Sequence, residues 1–249
     1  MDIQIYQISQ IFVFVLTLGL HSLILFGLRH AFRRMHLKAD QRAGLIRYIS
    51  LGLFFWMAIL AFLALAGFFY QFDRFPPPMF LTAAIPLILI VFLMYSKFFG
   101  VVLKAIPERW LIYVQSFRIL MELFLWMGYL GGFVPLQMTF EWLNFDIIVG
   151  LTAPMAGFVF FGIRRYRKLE AIIWNVFGII LLLNVLLIAI FSMPSPFQAF
   201  VTEPDSSFVA VFPFIWIPGF IVPFALAMHL FSLRQLFSSK KDKFTFQMK

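Results

Sequence analysis

The chain has 249 residues, 63% hydrophobic and only 12% charged, with 36 phenylalanines and no cysteine. That charged fraction is about half of what a soluble domain of this length needs to solvate its surface. The missing thiols exclude disulfides, thiolate metal centres and cysteine nucleophiles.

The opening "MDIQIYQISQ" has no basic n-region and no small-residue cleavage site, so the first apolar run is expected to be retained. Apolar runs long enough for a hydrocarbon core of about 30 Å fall at residues 9–29, 47–70, 79–97, 109–131, 144–163, 170–191 and 208–233. The connections "FDRFPPPM", "GGFVPLQMTFEW" and "SMPSPFQAFVTEPDSS" carry the Pro, Gly and polar residues that break helices. The expected fold is all-α: a polytopic membrane protein, a seven-transmembrane-helix bundle, with residues 1–249 forming a single transmembrane domain.

Charge placement gives the expected orientation. The first connection holds Arg29, Arg33, Arg34, Lys38, Arg42 and Arg47; the third holds Lys97, Lys104 and Arg109. The fifth holds Arg164, Arg165, Arg167 and Lys168, and the C-terminal end Arg234, Lys240, Lys241, Lys243 and Lys249. These are 18 of the 20 Lys and Arg; Asp2, Asp73, Glu141, Glu203 and Asp205 lie on the other side. By the positive-inside rule the N-terminus is outside and the C-terminus cytoplasmic, which an odd number of spans also requires. The net charge of +9 then reads as a collar facing the lipid bilayer and its anionic headgroups at the cytoplasmic face. No basic domain stands clear for nucleic acid. A bacterial cytoplasmic (inner) membrane fits the cysteine-free chain. Within 29–47, Phe32, Met35 and Leu37 interleave with bases, which suits either an interfacial helix or helix ends running out to a short loop.

Motifs of familiar membrane proteins are missing. No lysine lies in the last span to hold retinal, and "MYSKFFG" replaces the acidic-Arg-aromatic triplet of G-protein-coupled receptors. His-Glu-x-x-His, Gly-x-Ser-x-Gly and P-loop patterns are absent too, so no cofactor is expected and an enzyme is disfavoured. His30 and His229 both fall near the cytoplasmic ends of their spans, where a haem or metal pair is conceivable. An interfacial role for His30 and a helix-end role for His229 are preferred.

The informative stretch is "QSFRILMELFLW" in the fourth span. Gln115, Arg118, Glu122, Trp126 and Tyr129 recur at helical spacing and share one face. A charge at a helix centre costs about 2.5–3.5 kcal/mol, which an Arg118–Glu122 pair at i, i+4 would partly offset. Counted from the basic edge, Arg118 is roughly 13 Å deep and Glu122 roughly 19 Å, too deep to reach water. His21 lies at roughly the depth of Arg118. Asp146 is expected one turn inside the opposite edge as a capping or tethering carboxylate, and Asn184 below it. Asn175 and Asn184 are half a turn out of phase, so one of them is interhelical glue. Asp146, Gly150, Ala153 and Gly157 form a small-residue face that permits close helix approach. Pro154, Pro213, Pro218 and Pro223 mark kinks.

The first functional reading is a transporter-like or solute-binding membrane protein whose site holds Arg118, Glu122, Asp146, Asn184, His21 and Gln115. Arg118 would clamp a small anionic solute and Glu122 would exchange a proton. The competing reading is a non-catalytic accessory subunit that docks a membrane-protein partner through the small-residue face of the fifth span. For the Arg118–Glu122 pair itself, a structural role that fixes helix packing is favoured over a solute site, and a lipid-modifying enzyme with Glu122 or Asp146 as base is the weakest reading.

Overall fold

The computed structural model describes residues 1–162 and 166–238. Arg164, Arg165, Lys240, Lys241, Lys243 and Lys249 of the basic inventory lie outside the described residues. All regular structure among the described residues is helical.

Helix α1 (Ile3–Arg34) starts at Asp2, whose carboxylate accepts the N–H groups of Gln4 and Ile5 at 2.9 and 3.2 Å. That satisfies two of the donors a helix start leaves open. A tight turn with His36 at φ 54° joins α1 to α2 (Ala39–Leu65). The segment 29–47 therefore forms no separate interfacial helix; the two helices simply run on to the turn. Helix α3 (Phe80–Tyr95) breaks by 83° into α4 (Lys97–Ala105). At the break the Ser96 hydroxyl accepts the N–H of Phe99. Helices α5 (Glu108–Tyr113) and α6 (Phe117–Leu130) are joined by one 3₁₀ turn, Val114–Ser116. Then come α7 (Ile147–Phe161), α8 (Lys168–Phe191) and, after a π-helical turn at Ile217–Ile221, α9 (Val222–Phe237).

Among the described residues, five helical units are long and apolar enough to cross a membrane: α1, α2, α5–α6, α8 and the π turn with α9. The bent α3–α4 pair makes six if it is one span. The expected span at 144–163 is the 15-residue α7, about 22 Å long against a core of about 30 Å. A helical membrane protein is the reading these apolar helices support.

The helix ends sort into two groups. At one, the Arg234 guanidinium donates to the carbonyls of Leu93 and Ser96, and Gln235 donates to those of Leu103 and Ile106, all at 2.7 Å. Phe32, Ile46 and Val102 share an apolar cluster there. At the other, the Asp2 N–H donates to the Gly131 carbonyl at 2.8 Å. Gln137 donates to Ser192 and Thr202, and Ser206 to the Ala189 carbonyl. The basic connections thus gather at one end and the acidic ones at the other.

The main core joins Val13 and Leu16 of α1, Met57 and Leu60 of α2, Phe117 and Phe124 of α6, and Phe214, Phe220 and Phe224 around the π turn. Pro223 brings no N–H to the Gly219 carbonyl one turn earlier; the Trp56 indole donates to it at 2.9 Å. The reciprocal staple runs from the Trp216 indole to the Met57 carbonyl, also 2.9 Å. These two tryptophans hold α2 to the broken helix.

Candidate functional site

The small-residue face of α7 is what brings the charges together. A Cβ on Gly150 would stand 2.8 Å from the Ile119 backbone nitrogen, and one on Gly157 would meet the Tyr113 ring. Helix α7 therefore lies against the α5–α6 unit, and its first residue boundary, Asp146, falls beside Arg118. The face expected to dock an outside partner is occupied within the chain.

Arg118 is 1% exposed. Its ion-pair partner is Asp146, with Nε 3.2 Å from Oδ2, and not Glu122 one turn along its own helix. The Nε–Oδ2 contact lacks hydrogen-bond alignment, and Arg118 Nη2 and Asp146 Oδ1 are buried without a hydrogen-bond partner. Nη1 faces the Gly178 carbonyl and His229 Nε2, each at 3.4 Å. A guanidinium can only donate, so His229 accepts at Nε2 and carries its proton on Nδ1. That proton goes to Asn175 Oδ1 at 2.9 Å, and the Asn175 amide nitrogen donates to Ala171 and Ser232. His229 is thus fully buried in the bundle, not a helix-end group. Gly178 makes room for it: a Cβ there would stand 2.3 Å from the imidazole.

Glu122 turns to the connection between α6 and α7. Both its oxygens accept from Asn144 Nδ2 at 2.8 Å, and the same amide donates to the Met138 carbonyl. Asn144 Oδ1 accepts the Asp146 N–H at 2.9 Å, an Asx turn. One amide therefore ties the two carboxylates into one network. The connection is no solvated linker: Gln137, Thr139 and Asn144 are all at most 1% exposed.

The other expected members are elsewhere. His21 pairs with Ser50 of α2 through Nε2 at 3.1 Å, so its side chain faces α2 and not the network. Asn184 Oδ1 is buried without a partner, on a different side of α8 from the cavity-lining Leu182, Val185 and Leu186. Gln115 donates to the Ala225 carbonyl at 3.1 Å and fixes the 3₁₀ turn to α9. Asn144, His229 and Asn175 complete the network. Asn144 was readable two residues before Asp146; His229 was not, because nothing in the sequence shows which helix it faces.

Arg118, Glu122 and Asp146 line a cavity of about 120 Å³ whose other walls are almost wholly apolar. Met79 and Ala83, Met121 and Leu125, Leu182 and Val185, and Ile217 and Pro218 form those walls. It extends to Met193, Phe208 and Val209, at the end that carries the acidic connections. At about 30 Å³ per water, that volume holds on the order of four waters.

No curated protein and no solved structure matches the chain. The model of one family, described as "Domain of unknown function (DUF8737)", matches residues 75–237. The match takes in α3 to α9 and the whole charged network but leaves out α1 and α2. Since it covers well over half of the sequence, the chain belongs to the DUF8737 family.

Proposed function

We propose that this is a membrane-embedded binding protein for a small amphiphile with an ionisable head, transporter-like in coupling that solute to a proton. The observation that carries the reading is the apolar cavity that ends on a charged network with open hydrogen-bonding capacity. Arg118 Nη2 has a donor to give and Asp146 Oδ1 an acceptor to offer. A carboxylic acid complements both: its carbonyl accepts from the guanidinium and its O–H donates to the carboxylate. The charge count agrees, because one guanidinium balances only one of two carboxylates, and a low-dielectric site favours neutrality. The solute therefore arrives with its proton, and Glu122, held through Asn144, is the group that exchanges it. The π turn at Ile217–Ile221 and Pro218 supply the adjustable wall.

The surrounding topology is part of the proposal. The short α7 and bent α3–α4 pair complete seven spans in a single domain, with the N-terminus outside and the basic end cytoplasmic in a bacterial inner membrane. The gathering of basic connections at one end supports that sidedness. An accessory-subunit role loses its best docking surface, since the small-residue face of α7 is filled by α5–α6.

The test uses octanoate and octylamine as probes on the purified protein in detergent, followed by calorimetry. Saturable octanoate binding, lost in Leu182→Trp, which fills the cavity, and weakened at least tenfold in Arg118→Gln supports the reading. In pyranine-loaded proteoliposomes, octanoate should acidify the interior faster than in protein-free liposomes, and Glu122→Gln should abolish that excess. Absence of saturable binding, or binding indifferent to Leu182→Trp in a folded variant, sinks it.

A further inference from the structure

A second cleft, at the basic end, has no part in the network just described. It has a volume of about 520 Å³ and lies between α1 and α2, lined by Leu25, Arg29 and Arg33 on the first helix. From the second come Arg42, Ile46 and Ser50 in one row and Ala43, Arg47 and Leu51 in the next. Each row steps by four residues, so the three rows face one another along the helix pair. Four arginines line this cleft, and among the described residues none of their guanidinium groups has a carboxylate within 4.0 Å or a hydrogen-bond partner. Like charges left together without counter-charge repel, so the arrangement calls for an anion from outside the chain.

The apolar side of the cleft says what carries that anion. Leu25 and Ile46 are among its lining residues, as is Ser50, which is bonded to His21. Beyond Leu51 the same side of α2 continues as Phe55 and Phe62, exposed by 58%, 67% and 71% in turn. A phosphate among the arginines would therefore have a hydrocarbon-facing track beside it for an acyl chain. Four positive charges exceed what one phosphodiester neutralises, which favours a headgroup with at least two negative charges.

We propose that the α1–α2 cleft is a specific site for a phospholipid whose headgroup bears two or more negative charges. Arg29, Arg33, Arg42 and Arg47 hold the phosphate, and Leu51, Phe55 and Phe62 run along an acyl chain. This goes beyond a general attraction of basic residues to anionic lipid, because it separates these four arginines from the other bases at the same end. The site lies on the α1–α2 hairpin, outside the residues matched by the family.

The probes are dioctanoyl phosphatidic acid, dioctanoyl phosphatidylcholine and inorganic pyrophosphate, measured by thermophoresis on delipidated full-length protein at 150 mM salt. Phosphatidic acid should bind at least tenfold tighter than phosphatidylcholine. Arg33→Gln with Arg42→Gln should weaken it at least tenfold, whereas Arg34→Gln with Arg109→Gln, exposed bases that do not line the cleft, should change it less than twofold. Equal weakening by both pairs overturns the site in favour of diffuse electrostatics. Pyrophosphate competing as strongly as phosphatidic acid binds overturns the lipid assignment in favour of a soluble polyanion. Leu51→Asn with Phe55→Asn should weaken the lipid while leaving pyrophosphate unchanged, and loss of neither overturns the acyl track.

Discussion

Arg118 in α6 and Asp146, just before α7, hold their charges 3.2 Å apart with side chains 1% and 6% exposed. The pair joins two helices, where an Arg118–Glu122 pair would only have decorated one. Glu122 is freed for Asn144, so the fold places three ionisable side chains and the Asn144 amide in a single buried network that His229 and Asn175 complete. Removing one partner of a buried pair leaves the other charge stranded, at about 3–5 kcal/mol. Arg118→Leu and Asp146→Leu are each expected to destabilise the protein by that order. The double variant should lose clearly less than the sum, because it strands nothing between the two sites. Denaturation in mixed micelles gives the cycle; additive losses would mean the two groups do not interact.

Gly178 is the second structural demand of the network. Its missing Cβ admits the His229 ring, which Arg118 and Asn175 then orient. Gly178→Ala must push the imidazole aside, an overpacking cost of about 1–3 kcal/mol. Gly52→Ala, on an exposed part of α2 with nothing within 4 Å of the new methyl, is expected to be neutral or to stabilise by up to about 1 kcal/mol. Thermal unfolding in detergent separates the two. If Gly178→Ala matches Gly52→Ala, the close packing of α8 on His229 is wrong.

The helical character of the chain, the basic and acidic ends, and Arg118 with Glu122 as buried charges were all legible, because each rests on residue type and local spacing. Pairing was not. Arg118 chose Asp146 because a small-residue face on α7, itself readable, draws that helix against α6; the sequence does not say which neighbour the face meets. His21 and Asn184 illustrate the same limit: depth follows from counting 1.5 Å per residue, but azimuth depends on packing. The proline-rich last span showed that a break was coming. It did not show that Trp56 from α2 would supply the donor to Gly219.

Arg234 holds the α3–α4 break from a distance of some 140 residues in sequence. Its planar fork donates to two carbonyls at 2.7 Å, those of Leu93 and Ser96, which flank the bend and also accept the backbone N–H groups of Ser96 and Gly100. A Cβ on Gly100 would come within 2.7 Å of the same guanidinium. Lysine offers one ammonium where arginine offers a fork. Arg234→Lys should therefore cost about 1.5–3 kcal/mol and raise hydrogen exchange around Leu93–Gly100. Exchange unchanged in Arg234→Lys would show that the bend holds itself.

Tyr166 gives a pH-dependent prediction outside the spans. Its hydroxyl donates to Glu108 Oε1 at 3.0 Å, linking the segment before α8 to the start of α5. Burial, then the Glu108 charge and the hydrogen bond, hold the phenol well above its ordinary value of 10.0. The folded state therefore keeps a proton that the unfolded chain releases. By linkage, the stabilisation is fully present below pH about 10 and is lost as pH rises further. Tyr166→Phe should be less stable than the wild type by a constant margin between pH 7 and 9, with the margin shrinking above 10. Absorbance at 295 nm should show a late-ionising phenol component that Tyr166→Phe removes and Glu108→Gln shifts to lower pH. Superimposable alkaline titrations of wild type and Glu108→Gln would show that the carboxylate does not act on this hydroxyl.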